Sequence, residues 1–165
     1  MIERPPSPCI KVCVLVERDR CAGCLRTVDE IAGWPAMSAE AQWALLGTLE
    51  QRRRTVAEEV VNRIKTHIGT SPAVLFMKGT PDFPQCGFSA QTVAALRDSG
   101  ADFHAVNIFE DPELRDALKK FSNWPTYPQL YVNGELVGGC DIVLDMHRSG
   151  ELRKLLTEAG ATAEA

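Results

Sequence analysis

Residues 73–89 read AVLFMKGTPDFPQCGFS. Ala73–Lys78 is a short apolar run ending in a lysine, the pattern of a strand buried on both faces. Gly79, Pro81 and Pro84 then impose a loop, since none of them continues a strand or a helix easily. Ala90–Ser99 carries Val93, Leu96 and Arg97 at helical spacing. Cys86 therefore stands between a buried strand and the start of a helix. There, unpaired backbone N–H groups and the macrodipole favour thiolate over thiol. Lys78, at the strand end, adds positive charge. A cysteine considered alone is more often an inert packed residue; its strand–turn–helix setting is what argues for reactivity here.

Outward from this stretch the pattern alternates. Asp102–Asn107 reads as a second strand, and Pro112 opens a helix at its favoured first position, running to about Phe121. Gln129–Val132 and Glu135–Val137 flank Asn133-Gly134, the strongest short hairpin signal. Gly138-Gly139 precedes a last helical region interrupted at Gly150. Upstream, Val56, Val60, Ile64 and Ile68 form an i, i+4 stripe that begins after Thr55 and ends at Gly69. The order α-β-α-β-α-β-β-α, with a late hairpin in a mixed sheet, is that of a thioredoxin-like α/β fold. Such a fold has a mixed four-stranded sheet flanked by helices.

The first fifty residues follow other rules. Pro5-Pro6-Ser7-Pro8 is a stiff extended lead-in. Residues 25–33 read as a short helix ending near Gly33, and Trp34-Pro35 as a break. Ser38 is a plausible cap for a helix over 39–53, with Trp43, Leu46 and Leu49 on one side. The boundary is expected near residues 52–56. It separates a small, cysteine-rich, mostly helical unit (1–54) from the α/β unit (55–165), with nearly continuous helix between them. No internal repeat is visible.

Six cysteines occur in 165 residues, and four of them fall in Cys9-x3-Cys13-x7-Cys21-x2-Cys24. In a reducing compartment such a cluster reads first as metal-binding or redox-active. All-thiolate ligation suits zinc or an iron–sulfur cluster, although the spacing is not that of a standard zinc finger. The alternative is four reduced cysteines packed without metal. His67, His104 and His147 share no ligand spacing and read as ordinary surface or packed histidines.

Composition narrows the remaining classes. With 45% hydrophobic and 24% charged residues the chain is an ordinary globular one. A net charge of −4, from 18 basic and 22 acidic residues, argues against general nucleic-acid binding. The one dense basic run, Gln51-Arg52-Arg53-Arg54, reads as a solvated helix face. No apolar stretch approaches the roughly 20 residues that span a bilayer, so no membrane partner is expected. Residues 1–20 offer no unbroken apolar core of a secretory signal, and a cytoplasmic location is expected.

Four separate motifs resemble the CGFS-type monothiol glutaredoxins over residues 55–157 or so. They are Met77-Lys78-Gly79-Thr80-Pro81, Pro84-Gln85-Cys86-Gly87-Phe88-Ser89, Asn123-Trp124-Pro125-Thr126-Tyr127-Pro128-Gln129-Leu130 and Gly138-Gly139-Cys140-Asp141. The resemblance implies a glutathione-binding thioredoxin fold that holds a [2Fe–2S] cluster between two protomers. Such a cluster needs four thiolates; Cys86 of each chain in a homodimer would supply two, and two glutathione thiols the rest. By the same resemblance, Lys78, Arg115 and Lys119 would face the glycyl carboxylate of glutathione. Tyr127, before a cis proline at 128, would pair its backbone with the glutathione cysteine. Cys140 and Asp141 would bind the γ-glutamyl end at a helix start. Lys119 also reads as a solvated lysine, Cys140 as a backbone contributor only, and Trp124 as a residue that packs and shapes its loop. Residues 7–53 resemble a small bacterial family of unknown function with four cysteines, sometimes labelled as predicted iron–sulfur proteins.

Three functions follow from these readings. The first is a carrier that transfers [2Fe–2S] clusters to iron–sulfur apoproteins with glutathione as co-ligand. The second is a glutathione-dependent oxidoreductase that reduces glutathione–protein disulfides through Cys86. Ser89, where a dithiol motif has its second cysteine, leaves that monothiol route open. The third is an interaction module directed by the amino-terminal unit. The loop GTPDFPQ is longer than in dithiol relatives, which in the family accompanies cluster binding, and so favours the carrier.

Overall fold

The computed structural model describes residues 2–16 and 19–162. The chain divides into two units, Met1–Glu58 and Glu59–Ala165. Strands β1 (Leu15–Val16) and β2 (Arg20–Cys21) of the first unit pair antiparallel, with Leu15 opposite Cys21. Helix α1 (Val28–Gly33) starts three residues later than the sequence suggests, because Thr27 caps it. The Thr27 hydroxyl accepts the Glu30 N–H at 3.2 Å and the Glu30 carboxylate accepts the Thr27 N–H at 2.8 Å, a reciprocal box. A 3-10 turn, Trp34–Ala36, follows.

The helical patterns expected over 39–53 and from Thr55 form one helix, α2 (Ala39–Ile68), started by Ser38, whose hydroxyl accepts the Ala41 N–H at 3.2 Å. No glycine or proline interrupts residues 48–68, so nothing stops it. The unit boundary falls within this helix. Its buried face in the first unit differs from the expected one: Leu45 and Leu49 pack with Trp34, flanked by Leu25, Met37 and Leu46. Trp43 is half-exposed, and its indole N–H donates to the Glu3 carbonyl at 2.9 Å. The inward stripe runs through 42, 45 and 49, where the buried Gln42 amide donates to the Trp34 carbonyl at 2.8 Å. Trp43 lies one position round from that stripe. Arg52 also departs from the expected solvated face. It grips both Glu30 oxygens at 2.7 and 2.8 Å and the Leu25 carbonyl at 3.0 Å.

In the second unit β3 (Ala73–Met77), β4 (His104–Asn107), β5 (Gln129–Val132) and β6 (Glu135–Gly138) form a sheet ordered β4-β3-β5-β6. β3 runs parallel to β4 and antiparallel to β5, and β5 antiparallel to β6. The remaining helices are α3 (Gly87–Asp98), α4 (Pro112–Phe121), α5 (Cys140–Ser149) and α6 (Glu151–Glu158). Strand β3 explains its own sequence. Ala73, Leu75 and Met77 join a core with Leu96, Val143, Leu152 and Leu156. Val74 and Phe76 join another with Ile64, Ile68, Leu114 and Leu118. Both faces are covered, so the strand is apolar throughout rather than alternating. Asn133 and Gly134 take consecutive left-handed conformations, the turn that matches strand twist. These elements make the thioredoxin-like fold, and they bring the C-terminal ends of β3 and β4 and the start of α3 to one edge. Among the described residues, no helix is long and apolar enough to cross a membrane.

Candidate functional site

Cys86 is the N-cap of α3, in extended conformation and partly exposed, and its carbonyl accepts the first helical bond from the Ala90 N–H at 2.9 Å. The preceding loop is folded on itself. Gln85 N–H donates to the Lys78 carbonyl at 2.9 Å, and Thr80 and Phe83 exchange backbone bonds at 3.2 and 3.1 Å. Gly79 is required there, with φ +85° and a would-be Cβ colliding with the Phe83 carbonyl. Asn107, at the end of β4, fastens the loop from below. Its carbonyl oxygen accepts the N–H groups of Gly79 at 3.0 Å and Phe109 at 3.2 Å. The Ser89 backbone N–H holds the Cys86 thiol below its ordinary range against the opposing effect of burial, helped by the Phe88 N–H, the Lys78 charge and the Ser89 hydroxyl. Ser89 itself is fully buried.

A cavity of about 600 Å³ is bordered by Phe88, two residues beyond Cys86, although Cys86 itself is not among its lining residues. Lys78 from the end of β3, Arg115 and Lys119 from α4, Tyr127 from the loop before β5, and Cys140 and Asp141 from the start of α5 all line it. Arg115 and Lys119 are one helical turn apart, so α4 presents both on one face. Among the described residues Arg115 pairs only with its neighbour Asp116, at 3.3 Å, and Lys78 and Lys119 pair with no carboxylate. The cavity is thus lined by three cations against one carboxylate, Asp141. The Tyr127–Pro128 peptide is cis. Tyr127 is buried, its hydroxyl donates to the Arg115 carbonyl at 2.5 Å, and burial pushes its phenol far above the usual range. Apolar side chains line it as well: Phe88, Ile108, Phe109 and Ile142. Phe88 is 59% and Phe83 80% exposed, so two aromatic side chains within three residues of Cys86 are open to solvent.

Residues 73–137 match the glutaredoxin family. Monothiol glutaredoxin-5, mitochondrial, of Saccharomyces cerevisiae is 54% identical over 114 residues, 67% of this chain and 76% of that protein. This chain belongs to the monothiol glutaredoxins. The reduced apo form of poplar GrxS14 superposes with a TM-score of 0.55 at 46% identity, covering 61% of this chain and 93% of that one. A buckwheat glutaredoxin–glutathione complex gives a TM-score of 0.58 at 25% identity, covering 65% and 96%. Residues 7–53, outside the glutaredoxin match, match a family described as a protein of unknown function, DUF1289.

The four amino-terminal cysteines of this glutaredoxin are not gathered. Cys21 and Cys24 are buried, Cys9 and Cys13 exposed. Among the described residues no three potential metal-ligating side chains come together. The segments are nevertheless adjacent: the Cys21 thiol donates to the Val12 carbonyl at 3.1 Å, and Ala22 N–H to the Val14 carbonyl at 2.8 Å. Burial pushes the Cys24 thiol up, but hydrogen bonds from Arg26 outweigh this and hold it below its ordinary range. Arg26 is itself buried, 3.4 Å from the Cys24 sulfur and 5.3 Å from the Trp34 ring centre. His67 and His104 stack on one another at 6.2 Å, and His147 pairs with Asp98 at 2.7 Å. Reading the sequence alone passed over Phe88, Phe109 and Ile142 as cavity walls. Each lies within two residues of a position already singled out or just beyond a strand end, which is the signal that could have found them.

Proposed function

We propose that this glutaredoxin carries a [2Fe–2S] cluster between two copies of the chain, with glutathione as co-ligand, and passes it to iron–sulfur apoproteins. The observation that carries the reading is the pairing of an accessible, thiolate-favouring Cys86 with a buried serine at 89. One chain then offers one thiolate at this site. A [2Fe–2S] cluster takes four, so a second chain and two external thiols complete the set, and the donor chemistry suits iron. The adjoining cavity supports glutathione as the source of those thiols. Lys78, Arg115 and Lys119 would hold its glycyl carboxylate, Arg115 by a planar two-bond pair. The Tyr127 backbone would pair with its cysteine. The backbone N–H groups of Cys140 and Asp141 would take the γ-glutamyl carboxylate and the Asp141 side chain its amino group.

The lowered Cys86 thiol also favours a second reading, removal of glutathione from protein mixed disulfides. Cys86 thiolate would attack the glutathione sulfur, expelling the protein thiol and leaving a Cys86–glutathione disulfide. A second glutathione thiolate would then release Cys86 and oxidised glutathione. For the amino-terminal unit, with its boundary near residue 54, we propose a zinc or iron–sulfur site at Cys9, Cys13, Cys21 and Cys24. The buried Cys21–Cys24 pair would be the fixed half, and Cys9 and Cys13 would have to be drawn in. Both chemistries belong to a reducing compartment such as the cytoplasm.

Anaerobic reconstitution of the full chain with iron, sulfide and glutathione tests the carrier. The expected result is a visible [2Fe–2S] spectrum that requires glutathione, with one cluster per two chains. A spectrum that forms without glutathione on a monomer, and that Cys86→Ser removes, would rule out the shared-cluster arrangement. A deglutathionylation assay on the apo protein decides the second reading.

A further inference from the structure

Gln129, the first residue of β5, lies opposite Phe76 in the sheet and is fully buried. Its side chain is bonded to the loop between α4 and β5. The amide nitrogen donates to the carbonyls of Trp124 and Thr126, both at 3.1 Å. The amide oxygen accepts from the buried Tyr131 hydroxyl at 3.2 Å. The reverse orientation of the amide would set its oxygen against two carbonyl oxygens, so the network fixes which end is which. Both donors of a fully buried side chain are therefore committed to one loop.

That loop forms part of the cavity, which Trp124, Pro125, Thr126 and Tyr127 all line. Pro125 and Pro128 have no N–H, so between Trp124 and Gln129 only Thr126 and Tyr127 have one to offer a ligand. In a trans peptide the carbonyl and the N–H that follows it point in opposite directions. Gln129 draws the Thr126 carbonyl inward, toward the buried start of β5. The Tyr127 N–H is thereby turned the other way. Among the described residues no carbonyl of the chain accepts that N–H.

We propose that Gln129 is a positioning residue for glutathione: its amide fixes the Thr126–Tyr127 peptide so that the Tyr127 N–H meets the cysteinyl carbonyl of the ligand. This rests on the reading that the cavity takes glutathione. Gln129 itself touches no ligand. Without its two donors the Thr126 carbonyl loses its interior partner, and the peptide is free to turn that carbonyl toward water. It then presents an acceptor where the ligand also has one.

Calorimetric titration of the full-length apo protein and two variants, Gln129→Met and Tyr131→Phe, tests this. Methionine has the length of glutamine and no donor. Tyr131→Phe breaks the same buried network on its acceptor side and leaves both Gln129 donors in place. The ligands are reduced glutathione and an analogue whose cysteinyl–glycine amide is a trans-alkene, which lacks the cysteinyl carbonyl. Gln129→Met should weaken glutathione binding about tenfold and binding of the analogue much less. Tyr131→Phe should lower the melting temperature and leave glutathione binding nearly unchanged. Equal losses with both ligands in Gln129→Met, or an equal loss of glutathione binding in the two variants, would mean that Gln129 only holds the fold together, and would overturn the proposal. In the unsubstituted protein, glutathione should slow hydrogen exchange at the Tyr127 amide and the analogue should not. This measurement holds even if Gln129→Met folds poorly, and protection by both ligands alike, or by neither, would also overturn the proposal. Failure of the unsubstituted protein to bind glutathione at all would instead remove the reading of the cavity, and this inference with it.

Discussion

The Ser89 hydroxyl accepts a hydrogen bond from the backbone N–H of Lys78 at 3.2 Å, and so ties the first turn of α3 to the end of β3. The residue that leaves Cys86 without a second thiol is therefore also a structural clamp between the strand and helix that position it. Replacing Ser89 by alanine leaves the Lys78 N–H without this acceptor and should cost about 1–2 kcal/mol, read by denaturant unfolding. The Cys86 thiol should rise only slightly, because the largest influence on it is the Ser89 backbone N–H, which alanine keeps. A large upward move in the thiolate absorbance titration would assign the activation to the hydroxyl instead.

Cys86 should also make stability depend on pH in a defined direction. Its thiol lies lower in the fold than in the unfolded chain. The stabilisation is then fully present above the unfolded value and is lost as pH falls through the folded one. The stability difference between the native protein and Cys86→Ser, measured across about pH 5 to 9, should shrink toward the acid end. A difference that is flat with pH would show that the thiol is not depressed by folding. The same substitution should abolish the glutathione-dependent cluster spectrum, since each half of the site loses its only protein ligand.

Much of this fold was legible because single residues carry unambiguous physics. Asn133-Gly134 specifies a turn that few other pairs allow, and the apolar run at 73–77 requires cover on both faces. The amphipathic stretch at 39–53 was less legible. Its tryptophan and leucines admit two overlapping stripes, and only Gln42, a polar residue that bonds the Trp34 carbonyl, decides that Leu45 and Leu49 turn inward while Trp43 does not. Arg52 looked like its neighbours until folding brought Glu30 to it from twenty-two residues away. The cavity was named residue by residue through resemblance, for no periodicity connects 78, 115, 127 and 141. Cysteine spacing in the first unit gave candidates, but it carries no information about which thiols lie deep.

The Glu30–Arg52 pair gives the first unit its own acid sensitivity. Hydrogen bonds from Arg52 hold the Glu30 carboxyl below the usual range against the opposing effect of burial. That contribution is present above the unfolded carboxylate value and is lost as pH falls through the folded one. Both side chains are about one-fifth exposed, so screening limits the pair to about 1 kcal/mol. Glu30→Gln also weakens the cap on α1. It should lower the melting temperature at neutral pH and have progressively less effect as pH falls through the range where the folded carboxyl takes up its proton; a loss that is the same at every pH would assign the effect to packing.

Metal at the amino-terminal cysteines should be separable from the cluster at Cys86. Cys9, Cys13, Cys21 and Cys24 come from one short stretch, so a single chain can supply four thiolates without glutathione. The full chain carrying Cys86→Ser should therefore retain one metal centre per chain, unaffected by removing glutathione. Because the thiolates must form before metal binds, affinity should fall with falling pH. Two of the four thiols are exposed and apart from the buried pair, so binding must draw residues 9–13 over the Cys21–Cys24 turn, which their backbones already border. The core of this unit, Trp34, Leu45 and Leu49, is small, and a bound metal would add substantially to its stability. Metal analysis with circular dichroism melts before and after chelation reads both effects. Chelation should lower the melting of this unit and increase alkylation of Cys21 and Cys24. A protein that holds no metal at neutral pH, and whose thiol reactivity chelators leave unchanged, would mean that these cysteines serve packing alone.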